Sequence, residues 1–161
     1  MDFTTLDRSY MAIALEEAAA ASKNGDIPVG AVIVDQKGNI ISRRRNERES
    51  RGSSIAHAEM LCPEDACKER ASWRLSDCTI YVTLEPCPMC AGAILNSRIK
   101  RVVCGAKNPK AGSFGSVIDL NSYPLNHKCD CEFGLFNKES SSLLSEFFDK
   151  KRKGNLLSID M

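Results

Sequence analysis

Cys78-Thr79-Ile80-Tyr81-Val82-Thr83-Leu84-Glu85-Pro86-Cys87-Pro88-Met89-Cys90-Ala91-Gly92-Ala93 decides the fold. Its first half, Cys78 to Leu84, is short, apolar and rich in β-branched and aromatic residues, and reads as the clearest strand in the chain. Pro86 and Pro88 end it, since neither has an N–H to give to a ladder, and a proline is well suited to the first turn of a helix. The second half therefore predicts a helix from about Cys87 to Asn96, after which Ile99 to Cys104 returns as strand.

Toward the N-terminus, Tyr10, Met11, Ala14, Leu15, Ala18 and Ala21 fall at helical intervals and Gly25 follows as a stop, which predicts a helix over 6–22. Val29 to Asp35, the turn residues Lys37, Gly38 and Asn39, and Ile40 to Ser42 predict a hairpin. An arginine-rich loop from Arg43 to Ser54 comes next, and then a helix from about His57 to Arg70. On the C-terminal side, Gly105 to Tyr123 reads as loop, Cys129 to Leu135 as a weak strand, and Leu143, Leu144, Phe147 and Phe148 mark an amphipathic helix ending in Lys150 to Lys153. This order implies an α/β fold, a mixed sheet covered by helices.

The 161 residues suit one domain over 1–161, with a core of about 6–153 and a short C-terminal tail, 154–161. Twenty-two Lys and Arg face twenty-one Asp and Glu, a net charge of +1, so any nucleic-acid binding must come from local patches. Asp2 and Asp7 stand where a secretory leader would need a basic start and an apolar run. The eight cysteines are accordingly expected in a reducing cytoplasm, with Cys62, Cys67, Cys78, Cys104, Cys129 and Cys131 as free thiols. The longest apolar stretches, Met11 to Leu15 and Ala18 to Ala21, are parted by Glu16 and Glu17, so no membrane span is expected.

Cys87-Pro-Met-Cys90 sets two thiols one helical turn apart at a helix start, where backbone N–H groups favour thiolates. Alone, that spacing fits either a metal site or a redox pair. His57-Ala-Glu59, about thirty residues earlier, adds a third ligand of suitable chemistry and shifts the balance to zinc. Three protein ligands leave the fourth zinc position open, the catalytic arrangement, in which the ion lowers the pKa of a bound water from about 15.7 to around 7. Glu59 is the candidate proton carrier. Residues two apart in a regular helix point to nearly opposite sides, so His57 is expected at or before the first helical turn.

At His57-Ala-Glu59 and Pro86-Cys87-Pro88-Met89-Cys90 the chain resembles the cytidine deaminase superfamily of zinc nucleobase deaminases. Trp73-Arg74-Leu75, the run from Tyr81 to Ala93, and Asn126-His127 make it similar to the tRNA-specific adenosine deaminases, over roughly Tyr10 to Lys153. The resemblance implies a three-layer α/β/α cytidine-deaminase-like fold with a mixed five-stranded sheet. It also implies a homodimer, one zinc per chain, and hydrolysis of adenosine to inosine at the wobble position of a tRNA anticodon stem-loop. Carried over, His57, Cys87 and Cys90 hold the zinc, Glu59 protonates the ring nitrogen and then the departing ammonia, and Asn46 hydrogen-bonds the flipped nucleotide.

Lys107, Asn108 and Lys110, in a loop after the strand ending at Cys104, are candidate RNA contacts, and Lys150 to Lys153 a candidate grip on the stem. Two alternatives stay open: a deaminase of a free base or nucleoside, guanine or cytosine in type, and a zinc-stabilised binding module whose fourth position is closed. Departures from the family pattern carry further expectations. Pro63 should bend or loosen the turn beneath Glu59, because it cannot donate to that residue's carbonyl. Asn108, where aspartate is frequent, should turn a neutral amide toward the nucleic acid.

Overall fold

The computed structural model describes residues 2–159. Helix α1, Thr5–Lys23, opens on a capping box in which the Thr4 hydroxyl accepts from the Asp7 N–H and the Asp7 carboxylate accepts from the Thr4 N–H. Strand β1, Gly30–Val34, pairs antiparallel with both β2, Ile40–Arg45, and β3, Thr79–Leu84. Strand β3 runs parallel to β4, Arg101–Ala106, and β4 parallel to β5, Asp130–Phe133, giving the order β2-β1-β3-β4-β5. Four more helices complete the fold: α2, Arg48–Arg51; α3, Ala58–Arg70; α4, Pro88–Asn96; and α5, Asn137–Ile159.

Strand alternation builds two cores. Ala31, Ile33, Ile80 and Val82 face Ala58, Cys62 and Ala66 of α3 and Ala91 and Ile94 of α4. Val32, Val34, Tyr81 and Val103 face Tyr10, Met11 and Ala14 of α1, with Leu135 closing that side. The sheet is thus covered on both faces, the three-layer α/β/α architecture. Helix α1 approaches β1 so closely that a Cβ on Gly30 would lie 2.0 Å from the Ala14 carbonyl oxygen, so only glycine fits there.

Several boundaries differ from those read in the sequence. Arg43, Arg44 and Arg45 belong to β2 and not to a loop, because alternate side chains find acids on opposite faces of the sheet. Arg43 and Arg45 reach Glu17 of α1 at 2.8 and 3.3 Å, and Arg44 reaches Asp65 of α3 at 2.7 Å. The remaining loop contains the short α2, and a 3-10 turn at Leu120–Ser122 interrupts the stretch before β5. Helix α5 does not end at Lys153 before a tail but runs on to Ile159, since one interior glycine, Gly154, costs only about 1 kcal/mol against the helix formers around it. Helix α3 likewise continues through Pro63 to Arg70, its first turn closed by the Met60 and Leu61 N–H groups donating to the His57 carbonyl at 3.0 Å each. The effect of Pro63 on secondary structure is limited to one missing hydrogen bond. Among the described residues, no helix is long and apolar enough to cross a membrane.

Candidate active site

Two helix starts meet at one point. His57 is the N-cap of α3, with extended backbone (φ −76°, ψ 150°), and Glu59 is the second residue of that helix. Placing the imidazole before the helix removes the conflict between residues two apart. Cys87 is the N-cap of α4, Pro88 occupies its first turn, and Cys90 follows in the same turn. The His57 Nδ1 lies 3.7 Å from the Cys87 Sγ and 3.4 Å from the Cys90 Sγ, and the three ligand atoms all lie within 4.8 Å of one another. Tetrahedral zinc with Zn–S near 2.3 Å and Zn–N near 2.0 Å requires an N···S edge of about 3.6 Å. The donors therefore fit zinc in chemistry and in spacing.

Hydrogen bonding and burial together shift the protonation of these groups. Cys87 is drawn down to about 4, first by the hydrogen bond from the Cys90 thiol and then by those from His57 and the Cys90 N–H. Cys90 moves the opposite way, because it gives its hydrogen to Cys87 and is buried. The hydrogen bond to Cys87 raises His57. Burial pushes Glu59 up to about 7. Glu59 is buried beside these donors but is not one of the three that gather at the metal position.

A cavity of about 490 Å³ opens over this cluster, within the range of small-molecule sites. Besides the Leu84-Glu85 corner, it is lined by Ile27, Val29, Asn46 and Arg48, by the reactive His57, Glu59 and Cys87, by Lys107 to Ala111, and by Leu144 and Phe148 of α5. The candidates Asn46, Lys107, Asn108 and Lys110 thus come together with the metal cluster. Asn46 is buried and already engaged: its Oδ1 accepts from the Arg48 N–H and its Nδ2 donates to the Ile27 carbonyl, each at 3.1 Å. One Nδ2 hydrogen remains for a ligand. Asn108 has its Oδ1 turned into its own loop, accepting from the Lys110 and Ala111 N–H groups at 3.2 Å each. Only its amide nitrogen can face a substrate. An asparagine oxygen two residues before an N–H forms such turns readily.

The other candidate chemistry lies elsewhere. His127 pairs with the Ile99 carbonyl at 2.7 Å. The six remaining cysteines are free thiols, and among the described residues no second group of metal-ligating side chains forms. Cys129 and Cys131 share a face, as strand alternation requires, with sulfurs 3.6 Å apart beside Asn121. Glu85, Arg48, Leu144 and Phe148 line the cavity without having been singled out as site residues in the sequence. Leu144 and Phe148 carry a signal, a four-residue helical spacing with Phe148 still 41 % exposed. Glu85 carries a weaker one, a charged residue between an apolar strand and the CxxC pair.

This fold with this donor set defines a class, the zinc-dependent deaminases. Residues 4–106 match the family described as the cytidine and deoxycytidylate deaminase zinc-binding region. The chain is 47% identical over 150 residues to the tRNA-specific adenosine deaminase of Bacillus subtilis (strain 168), with 92% of each chain covered. Its counterpart in Haemophilus influenzae is 45% identical, covering 91% of this chain and 86% of that one. A structure from work on A-to-I editing by tRNA:A34 deaminases at the wobble position superposes with a TM-score of 0.82 at 39% identity, over 84% of this chain and 99% of that one. The protein belongs to the tRNA-specific adenosine deaminase family, and its cofactor is zinc.

Proposed function

We propose that residues 1–161 act as one deaminase domain that converts adenosine to inosine at the wobble position of tRNA, with the anticodon stem-loop as the bound substrate. The observation that carries this reading is Glu59: a buried carboxyl group beside three zinc-type donors, outside their set, facing a cavity walled by a lysine-bearing loop. His57, Cys87 and Cys90 hold the zinc, which supplies a Lewis acid that makes water nucleophilic at neutral pH.

The chain's own residues supply positioning and proton transfer. Adenosine and water give inosine and ammonia. Glu59 carries one proton from the attacking water to the ring nitrogen next to C6, then carries the second from the new C6 hydroxyl to the departing amine, so that both water protons are accounted for in inosine and ammonia. The free Nδ2 hydrogen of Asn46 holds the flipped nucleotide, and Ile27, Val29 and Leu84 give its base an apolar bed that excludes water. Lys107 and Lys110, both exposed at the rim, meet phosphates, and the Asn108 amide meets ribose hydroxyls. The exposed Lys150 to Lys153 continue that surface along α5.

Two further assignments belong to the same reading. A homodimer, which the family resemblance implies, gives exposed Ile55 and Trp73 a surface to cover. A reducing cytoplasm suits the six free thiols outside the metal site. The test of function is to incubate the purified zinc-loaded protein with an anticodon stem-loop carrying adenosine at the wobble position, in parallel with free adenine, guanine and cytidine. Inosine forms in the stem-loop while the free compounds stay unchanged. Ammonia released from a free base instead points to a nucleobase deaminase and overturns the tRNA reading.

A further inference from the structure

Glu85 is a buried acid for which the deamination chemistry has no use. It follows β3 directly, two residues before the ligand Cys87, and only 1 % of it is exposed. Every hydrogen bond that its carboxylate makes is to the loop of residues 108–116. Its Oε1 accepts from the Asn108 N–H at 3.2 Å and from the Ser116 hydroxyl, and its Oε2 accepts from the Phe114 and Ser116 N–H groups at 3.1 Å each. A Cβ on Gly112 would fall 2.5 Å from the Glu85 Cδ, so the loop backbone is pressed against the carboxylate.

Backbone bonds flank this clamp, with the Glu85 N–H donating to the Ala106 carbonyl and the Ser113 N–H donating to the Pro86 carbonyl, each at 2.9 Å. Four donors around two oxygens fit a carboxylate, which offers only acceptors; an amide would set an NH₂ against N–H groups. No ion pair is formed by this acid among the described residues. The loop's own backbone N–H groups take the place of a cation.

We propose that Glu85 is a positioning residue for the substrate: it fixes the loop bearing Lys107, Asn108 and Lys110 at a set distance from the metal ligands, and so determines how the RNA backbone is held over the reacting base. The inference deepens the tRNA reading and rests on it for the identity of the substrate. The polymer contacts are carried by this loop, whereas proton transfer is carried by α3. Loosening the clamp therefore weakens RNA binding and leaves the chemical step alone.

The experiment compares wild type with Glu85→Gln for zinc content, for kcat and KM on the anticodon stem-loop, and for amide hydrogen exchange at Asn108, Phe114 and Ser116. The expected result is one zinc per chain, KM raised about tenfold, kcat within about twofold, and faster exchange at those three amides. Lost zinc, a fall in kcat at constant KM, or unchanged KM with unchanged exchange overturns the proposal. Should Glu85→Gln fail to fold, Ser116→Ala decides, since it removes one donor from the loop side: KM rises about threefold, and an unchanged KM overturns the proposal. If wild type itself makes no inosine, the tRNA reading falls while the exchange arm still judges the clamp. Protected amides in Glu85→Gln then overturn it, and freely exchanging ones support it.

Discussion

Glu59 shows how much one residue's position decides. Were His57 one residue deeper in α3, the imidazole and the carboxyl would diverge around the helix; as the N-cap, His57 turns to the thiols while Glu59 stays in the first turn above the cavity. Proton transfer and metal binding are thereby given to different side chains, which variants can separate. Glu59→Ala should lower kcat on the stem-loop by about a thousandfold or more while zinc stays bound and the thermal unfolding profile holds, because the carboxyl is not a ligand. His57→Ala should lose zinc, since two thiols alone do not make a stable site. Metal analysis beside an inosine assay checks both, and a zinc-free Glu59→Ala protein would show that the two roles had been wrongly divided.

At the scale of elements, what the sequence made legible was local. The change from Val82-Thr83-Leu84 to Pro86 and Pro88 announces a strand giving way to a helix within four residues, and the same residues carry the metal ligands. The two-sided core follows from alternation in β1 and β3. Missed features depend on partners remote in sequence: Arg43 to Arg45 look like loop until Glu17 and Asp65 are brought beside them, and Glu85 looks ordinary until residues 108–116 fold around it.

Asp7 is another such case. It reads as an acid in a first helical turn, yet Arg101, ninety-four positions on, grips it with two bonds of 2.8 and 3.1 Å, and the Tyr81 hydroxyl donates to it at 2.7 Å. These hydrogen bonds, that of Arg101 foremost, hold the Asp7 carboxyl far below its ordinary range. The unfolded chain then takes up a proton near pH 4 that the folded chain refuses, so the contribution is complete above about pH 4 and lost as pH falls further. Asp7→Ala should cost about 2 to 4 kcal/mol at pH 7. Urea titrations should show the gap from wild type narrowing below pH 4, and a constant gap would mean that Asp7 acts by packing alone.

For the molecule as a whole, a net charge of +1 leaves no general attraction to RNA, so affinity depends on which cations remain uncommitted. The densest basic run is spent within the fold: Arg43 pairs with Glu16 and Glu17, Arg44 with Glu47 and Asp65, Arg45 with Glu17, and Arg51 with Glu47. Lys110, by contrast, is exposed and lines both the cavity and the adjoining groove that leads along α5 past Phe148 to Arg152. If it meets one phosphate, Lys110→Ala should weaken stem-loop binding by a few fold near physiological salt and reduce the slope of log affinity against log salt by about one. Arg43→Ala should leave that slope unchanged while removing ion pairs to α1. Measuring both variants by fluorescence anisotropy across a salt series separates a phosphate contact from a surface charge of no consequence, and an equal loss of slope in the two would place the RNA across the β2 edge and not over the cavity mouth.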